Sequence, residues 1–308
     1  MTHGPFSGLL VPMLTPFADD LSVDMKRAVD FCQNLLSDGA DGIVLFGTTG
    51  EASSLTMRER RSLLELLRAE GVPGERLIVG LTGCSLIDTV DSLRHSQDQG
   101  AAAVLLLPPF FYKQPVVTDD GLFDYVGQVI QRSQYADAGI YLYHIPQVAQ
   151  IGWSFALIRR LIEAFPDAIV GVKDSAGDWE HTKQLIHDFP ELDIFPGFEL
   201  TLLSSLQAGG LGCITATGNI NLQGIRAICE CESSKSDRGE LLQERATAVR
   251  LAVQNCGPPL TVMKSFLALK TGDSQWANVR PPLTSVSSER VQQLDRDLQA
   301  IGYDFPFD

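Results

Sequence analysis

Gly42-Ile-Val-Leu-Phe46-Gly-Thr-Thr-Gly50-Glu-Ala-Ser-Ser-Leu-Thr56-Met-Arg-Glu-Arg-Arg-Ser-Leu-Leu-Glu-Leu-Leu-Arg-Ala69-Glu-Gly71 contains one complete structural unit in order. It opens with a short apolar run that does not alternate, the pattern of a strand buried on both faces. A Gly-rich turn follows. Thr56, with Glu59 three positions on, forms a capping box that starts a helix. Leu63, Leu64 and Leu67 then recur at helical spacing, and Gly71 stands where a left-handed cap ends the helix. This stretch predicts a strand, a turn and a helix, one β/α unit.

The same unit repeats along the chain. Apolar runs lie at Gly8–Leu14, Gly42–Phe46, Leu77–Leu81, Ala102–Leu107, Gly139–Tyr143, Ala168–Val172, Asp193–Phe195 and Gly212–Ile214. Between them, Met25–Leu36, Met57–Ala69, Leu86–Gln99, Gly121–Ser133, Phe155–Phe165, Trp179–Phe189 and Leu200–Gln207 carry helical periodicity, with Gly39 and Gly100 as further helix stops. Repeated strand–helix alternation predicts a parallel sheet with helical crossovers. Eight units in about 220 residues suit a closed (β/α)8 barrel, a TIM barrel, better than an open doubly wound sheet. The alternation stops after Asn221. Gly239–Gln254, Thr261–Thr271 and Ser287–Ile301 read as helices, so the expected division is a barrel over 1–225 and a C-terminal helical extension over 226–308 packed on it. Near the start of the extension lies one polar low-complexity piece, Glu232-Ser-Ser-Lys-Ser-Asp.

Composition narrows the function. The 308 residues are 44% hydrophobic and carry a formal net charge of −14. That field, with no basic run to offset it, disfavours nucleic acid and other polyphosphate partners. The longest apolar stretch, Ala101–Phe111, is too short to span a bilayer and is broken by prolines. The N-terminus lacks the pattern of a secretory signal, so a cytoplasmic protein without a membrane partner is expected. The cysteines Cys32, Cys84, Cys213, Cys229, Cys231 and Cys256 form no CxxC pair, the histidines no HExxH, and no acidic cluster has metal-ligand spacing. No metal site is expected. The residues Gly210-x-Gly212 reach Thr215 where a dinucleotide fingerprint needs glycine, and Gly42-x4-Gly47 reaches Thr48 where a phosphate loop needs lysine.

Barrel enzymes gather their chemistry at the carboxyl ends of the strands. Behind the second strand, Gly47-Thr48-Thr49-Gly50-Glu51 offers hydroxyls and backbone amides to a small anion such as a carboxylate. It reads equally as a Gly-rich turn capping the next helix. At the end of the fifth, Tyr143 offers a phenol as proton carrier, although a strand tyrosine is more often packing. His144 alternates to the opposite side, toward a helix. At the end of the sixth, Lys173 directly abuts an apolar run, which is costly unless it reaches water or a partner. There it faces the reaction chamber, where desolvation releases an amine as a nucleophile toward a carbonyl. The competing reading pairs it with Asp174 at a loop start.

Taken together, Gly47-Thr-Thr-Gly-Glu51, Tyr143 before a proline-containing turn, Gly171-Val-Lys173-Asp and Phe195-Pro-Gly197 resemble the dihydrodipicolinate synthase/N-acetylneuraminate lyase family, in order and over nearly the whole chain. The resemblance implies a lyase in which Lys173 forms a Schiff base with pyruvate or another 2-oxo acid. Thr48 and Thr49 hold the carboxylate. Tyr143 shuttles protons, linked through Thr49. Gly47, Gly197, Ile214, Tyr112, His144 and Gln147 complete the substrate site, with Phe110 and Phe198 shaping it. No cofactor or metal is implied. A homotetramer, a dimer of dimers, is implied, with Phe111 or Tyr112 crossing the subunit boundary.

Two departures bear on the substrate. The synthases follow the strand-five tyrosine with Asn-x-Pro-x-Arg, and that arginine grips the second substrate's carboxylate. This chain has His144-Ile-Pro146-Gln147-Val148, and valine cannot replace a bidentate grip. Pro108-Pro-Phe110-Phe111-Tyr112-Lys113 also differs from the synthases' Pro-Tyr-Tyr-Asn. The expected second substrate is therefore an aldehyde or a 2-keto-3-deoxy sugar acid. True synthesis from pyruvate and aspartate semialdehyde, or binding of a 2-oxo acid without turnover, stand as alternatives.

Overall fold

The computed structural model describes residues 4–231, 237–303 and 305, so the polar piece at 232–236 lies outside the described residues. The strands are β1 (Gly8–Pro12), β2 (Gly42–Leu45), β3 (Leu77–Leu81), β4 (Ala103–Leu106), β5 (Ile140–His144), β6 (Ile169–Asp174), β7 (Asp193–Pro196) and β8 (Gly212–Ile214). They pair in parallel in the order β7-β6-β5-β4-β3-β2-β1-β8. Leu211 N donates to Ile194 O at 3.3 Å across the remaining seam, so the sheet is a nearly closed TIM barrel.

The helices are α1 (Met25–Ser37), α2 (Met57–Ala69), α3 (Leu86–Asp98), α4 (Asp119–Ser133), α5 (Pro146–Ala149), α6 (Phe155–Ala164), α7 (Trp179–Asp188), α8 (Leu202–Ala208), α9 (Leu222–Cys229), α10 (Asp237–Cys256), α11 (Pro259–Thr271) and α12 (Ser288–Ala300). The capping box of α2 forms in full, the Thr56 side chain on Glu59 N and the Glu59 side chain on Thr56 N. Gly39, Gly71 and Gly100 all take positive φ at helix ends. The short helix α9 was not drawn from the sequence, and the 225/226 division falls inside it. It packs on β1 and α8 as part of the barrel's ring. The last three helices share one apolar cluster with the barrel, in which Val253, Met263, Phe266 and Leu294 join Leu9 and Val11 of β1.

Register decides what faces the barrel interior. Tyr143 of β5 pairs with Lys173 of β6, and Lys173 with Phe195 of β7. Residues in register on parallel strands share a face, so these three point the same way. One layer below, Tyr141, Gly171 and Asp193 share that face, and the Tyr141 hydroxyl donates to Asp193 Oδ2 at 2.8 Å. Any side chain on Gly171 would meet the Tyr141 ring at 2.6 Å, so glycine is what lets that tyrosine fill the barrel floor. Burial pushes the Tyr141 phenol well above its ordinary range, and it stays a neutral donor. The interior floor is thus closed, and the cavity opens only above it.

Candidate active site

Above the floor, a cavity of about 190 Å³ is lined by Thr48, Thr49, Tyr143, Lys173, Gly197 and Ile214, among others. Lys173 is only 4% exposed. Its Nζ lies over the Tyr143 ring, 4.3 Å from the centroid, and no salt bridge joins it to Asp174. Asp174 is one residue on, so strand alternation turns it to the outer face. There it accepts from Thr182 Oγ1 at 2.7 Å and lies 3.0 Å from His181 Nδ1. The lysine–aspartate pairing weighed from sequence is absent for that geometric reason. The amine is left facing the cavity.

The Tyr143 hydroxyl lies 3.4 Å from Thr48 Oγ1. This corrects the sequence expectation, which linked the phenol through Thr49. The contact is long for a hydrogen bond, as catalytic contacts often are before substrate arrives.

The turn that carries both threonines is held from behind. Glu51 sits at φ 54, and its Oε1 accepts from Lys264 Nζ of α11 at 2.6 Å, with both side chains fully buried. Its Oε2 accepts from Arg280 N at 3.2 Å. Burial pulls Lys264 down to about 8 while the Glu51 carboxylate pulls the other way. Thr15 Oγ1 donates to Gly50 O at 2.7 Å. Arg280 also pairs with Glu59 at 2.5 Å, which holds that carboxyl down at about 2. The C-terminal extension therefore fixes the threonine turn. Sequence reading missed the Lys264 and Arg280 anchors, since their partners lie more than 200 residues away.

Several expected site residues stand outside the cavity. His144 is turned to the outer face, as alternation implied, and this corrects its expected place in the substrate site. Its ring stacks on His181 at 4.6 Å, and its Nδ1 accepts from Trp153 N at 3.1 Å. Burial pushes it below the usual histidine range, against the pull of Asp174, while His181 is raised by its bond to Asp174. His144, Asp174 and His181 bring one potential ligand atom each within 4.8 Å of one another, a grouping that sequence spacing did not show. It lies on the far side of the sheet from Lys173. Gln147 is exposed, and its amide donates to Ser175 O. Tyr112 is 50% exposed and packs edge-on against the exposed Phe111. Gly47 is buried in the turn without lining the cavity. Phe198 lines the cavity, whereas Phe110 lines an adjoining apolar space with Thr48, Val148 and Leu260.

Among the lining residues that sequence reading did not single out is Arg250 of α10, 3% exposed. Its guanidinium lies 4.9 Å from the Phe198 ring centroid.

Residues 5–301 match the model of the dihydrodipicolinate synthetase family. The chain belongs to this family. Among its relatives, an uncharacterised DapA-like lyase of Chloroflexus aurantiacus is 35% identical over 289 residues, covering 93% of this chain and 94% of that one. The 4-hydroxy-tetrahydrodipicolinate synthase of Corynebacterium urealyticum is 31% identical, covering 96% and 95%. The crystal structure of dihydrodipicolinate synthase from Agrobacterium tumefaciens superposes with a TM-score of 0.88 at 32% identity, covering 96% of this chain and 99% of that one. This member of the dihydrodipicolinate synthetase family is a lyase. No helix among its described residues is long and apolar enough to cross a membrane.

Proposed function

We propose that this lyase forms a Schiff base between Lys173 and pyruvate or a related short 2-oxo acid. The reading rests most on one observation: a buried lysine amine, free of its neighbouring aspartate, faces a cavity beside a tyrosine phenol. The amine lone pair attacks the 2-oxo carbon, giving a carbinolamine that loses water to form the imine. The protonated imine accepts the electron pair left when a C3 proton is removed, which yields an enamine. The enamine then adds to an aldehyde carbonyl, and the reverse sequence cleaves a 4-hydroxy-2-oxo acid to pyruvate and aldehyde. Tyr143 carries protons to and from the reacting oxygens, with Thr48 as its hydroxyl neighbour. The amides and hydroxyls of the threonine turn hold the substrate carboxylate. Neither a metal nor an organic cofactor enters this sequence.

The cavity volume of about 190 Å³ lies below the roughly 300–1,000 Å³ of sites for drug-sized ligands, which favours short-chain acids. Exposed Phe111, Tyr112, Val116 and Val148 support a subunit boundary at the β4 loop, in what we take to be a homotetramer, a dimer of dimers. We place the enzyme in the cytoplasm, where buried thiols such as Cys32 and Cys213 stay reduced. The related synthases of C. urealyticum and A. tumefaciens favour a second reading, condensation with aspartate semialdehyde. Assays with pyruvate and a panel of aldehydes, and in reverse with 2-keto-3-deoxy sugar acids, separate the two. Turnover of the sugar acids or of aldehydes other than aspartate semialdehyde, with poor use of the semialdehyde itself, is the expected result. Efficient condensation with the semialdehyde alone would establish the synthase reading instead.

A further inference from the structure

The cavity holds a second cation that the proposed chemistry does not use. Arg250 reaches it from α10, in the C-terminal extension, and is 3% exposed. Its Nε and Nη1 are buried with no hydrogen-bond partner. The nearest carboxylate, Glu199, stands 3.9 Å from Nη1, beyond hydrogen-bonding reach, and both its oxygens are already taken by the hydroxyls of Thr215 and Thr217. Gln243 Nε2 donates to the Glu199 backbone carbonyl at 2.8 Å, and the two threonine hydroxyls hold its carboxylate. The guanidinium carbon lies over the Phe198 ring, 4.9 Å from its centroid.

Burial of unpaired donors is expensive, and more so when they belong to a cation. Burial lowers the basicity of Arg250, with Glu199 opposing, yet a guanidinium keeps its charge. The lining contains two basic side chains, Lys173 and Arg250, and among the described residues no carboxylate. In a chain of net charge −14, that local reversal marks a chamber built for anionic groups. The carboxylate of a 2-oxo acid is already provided for at the threonine turn. A planar fork with free N–H groups matches one further carboxylate in bidentate fashion.

We infer that Arg250 is a specificity-determining residue that binds a second carboxylate, at the far end of the substrate, so that the preferred substrates are short dicarboxylates bearing a 2-oxo group. This inference rests on the Schiff-base reading of the cavity for the placement of the first carboxylate. Arg250 selects the substrate, while Lys173 and Tyr143 carry the chemistry.

The test compares two six-carbon acids that differ only at the tail, 2-oxoadipate with a terminal carboxylate and 2-oxohexanoate with a terminal methyl. Calorimetric titration is run on wild type, Arg250→Leu, Arg250→Lys and Lys173→Ala, with circular dichroism to establish folding. Wild type should bind the dicarboxylate at least about tenfold more tightly, the scale of one charge-assisted hydrogen bond. Arg250→Leu should bring the ratio toward one, and Arg250→Lys, which keeps the charge and loses the fork, should leave it part-way. Should the leucine variant not fold, the drop in the lysine variant decides. Lys173→Ala should keep the ratio, because recognition of the tail needs no imine. A wild-type ratio near one, failure of both acids to bind, or a ratio that survives loss of Arg250 would overturn the inference. Equal weakening of both acids in Arg250→Leu would place the arginine on the first carboxylate and overturn it too. A preserved ratio with no borohydride-trappable adduct would instead remove the Schiff-base reading and leave the role of Arg250 standing.

Discussion

At the scale of single residues, the division of labour between Thr48 and Thr49 is the sharpest point. The two are adjacent and chemically identical, so sequence alone could not say which one meets the Tyr143 phenol. The turn after β2 brings Thr48 Oγ1 to 3.4 Å from it. Thr48→Val is therefore expected to lower kcat by roughly 10²-fold, the lower range for loss of proton-transfer assistance, with a small change in KM for pyruvate. Thr49→Val is expected to raise KM more than it lowers kcat. Steady-state kinetics on both variants checks this, and the opposite pattern would return the relay to Thr49. Lys173 was legible because a charged side chain against an apolar strand stands out. Arg250 was not, since it lies in α10 with Arg238 and Arg245, where an arginine reads as part of a solvated helix face. Only the fold shows it to be buried. For His144 two indications conflicted, family resemblance and strand alternation, and its outward-facing ring follows alternation.

Among the elements, strands and long helices could be read because their periodicity is unbroken, and α2 ends where its cap and its glycine say it should. The eighth barrel helix, α9, escaped notice for local reasons. It spans only Leu222–Cys229, contains Gly224, and begins at Asn221 without a side-chain cap. Its position comes from packing on β1 and α8 rather than from its own propensity. The contact between α11 and the threonine turn was likewise invisible, because a lysine and a glutamate 213 positions apart carry no mutual signal. Lys264 Nζ also lies 4.3 Å from the Phe17 ring centroid, enclosed on every side. Replacing it by methionine leaves the Glu51 carboxylate buried and unpaired, at an expected cost of about 3–5 kcal/mol. Urea denaturation measures this, and adding Glu51→Gln to Lys264→Met should recover part of the loss. A single variant as stable as wild type would show that the ion pair does not hold the turn.

For the whole molecule, the extension is part of the enzyme's working structure. It shares the barrel's apolar cluster, fixes the threonine turn through Lys264 and Arg280, and carries Arg250 to the cavity. An acidic exterior surrounds a small chamber whose charged lining is cationic. Imine formation at Lys173 inside that chamber is read out by borohydride reduction in the presence of pyruvate, followed by peptide mass spectrometry. The expected result is a reduced pyruvate adduct on the peptide bearing Lys173, absent from Lys173→Ala. An unmodified Lys173 after reduction with pyruvate and with longer 2-oxo acids, or an adduct on a different lysine, would contradict the account.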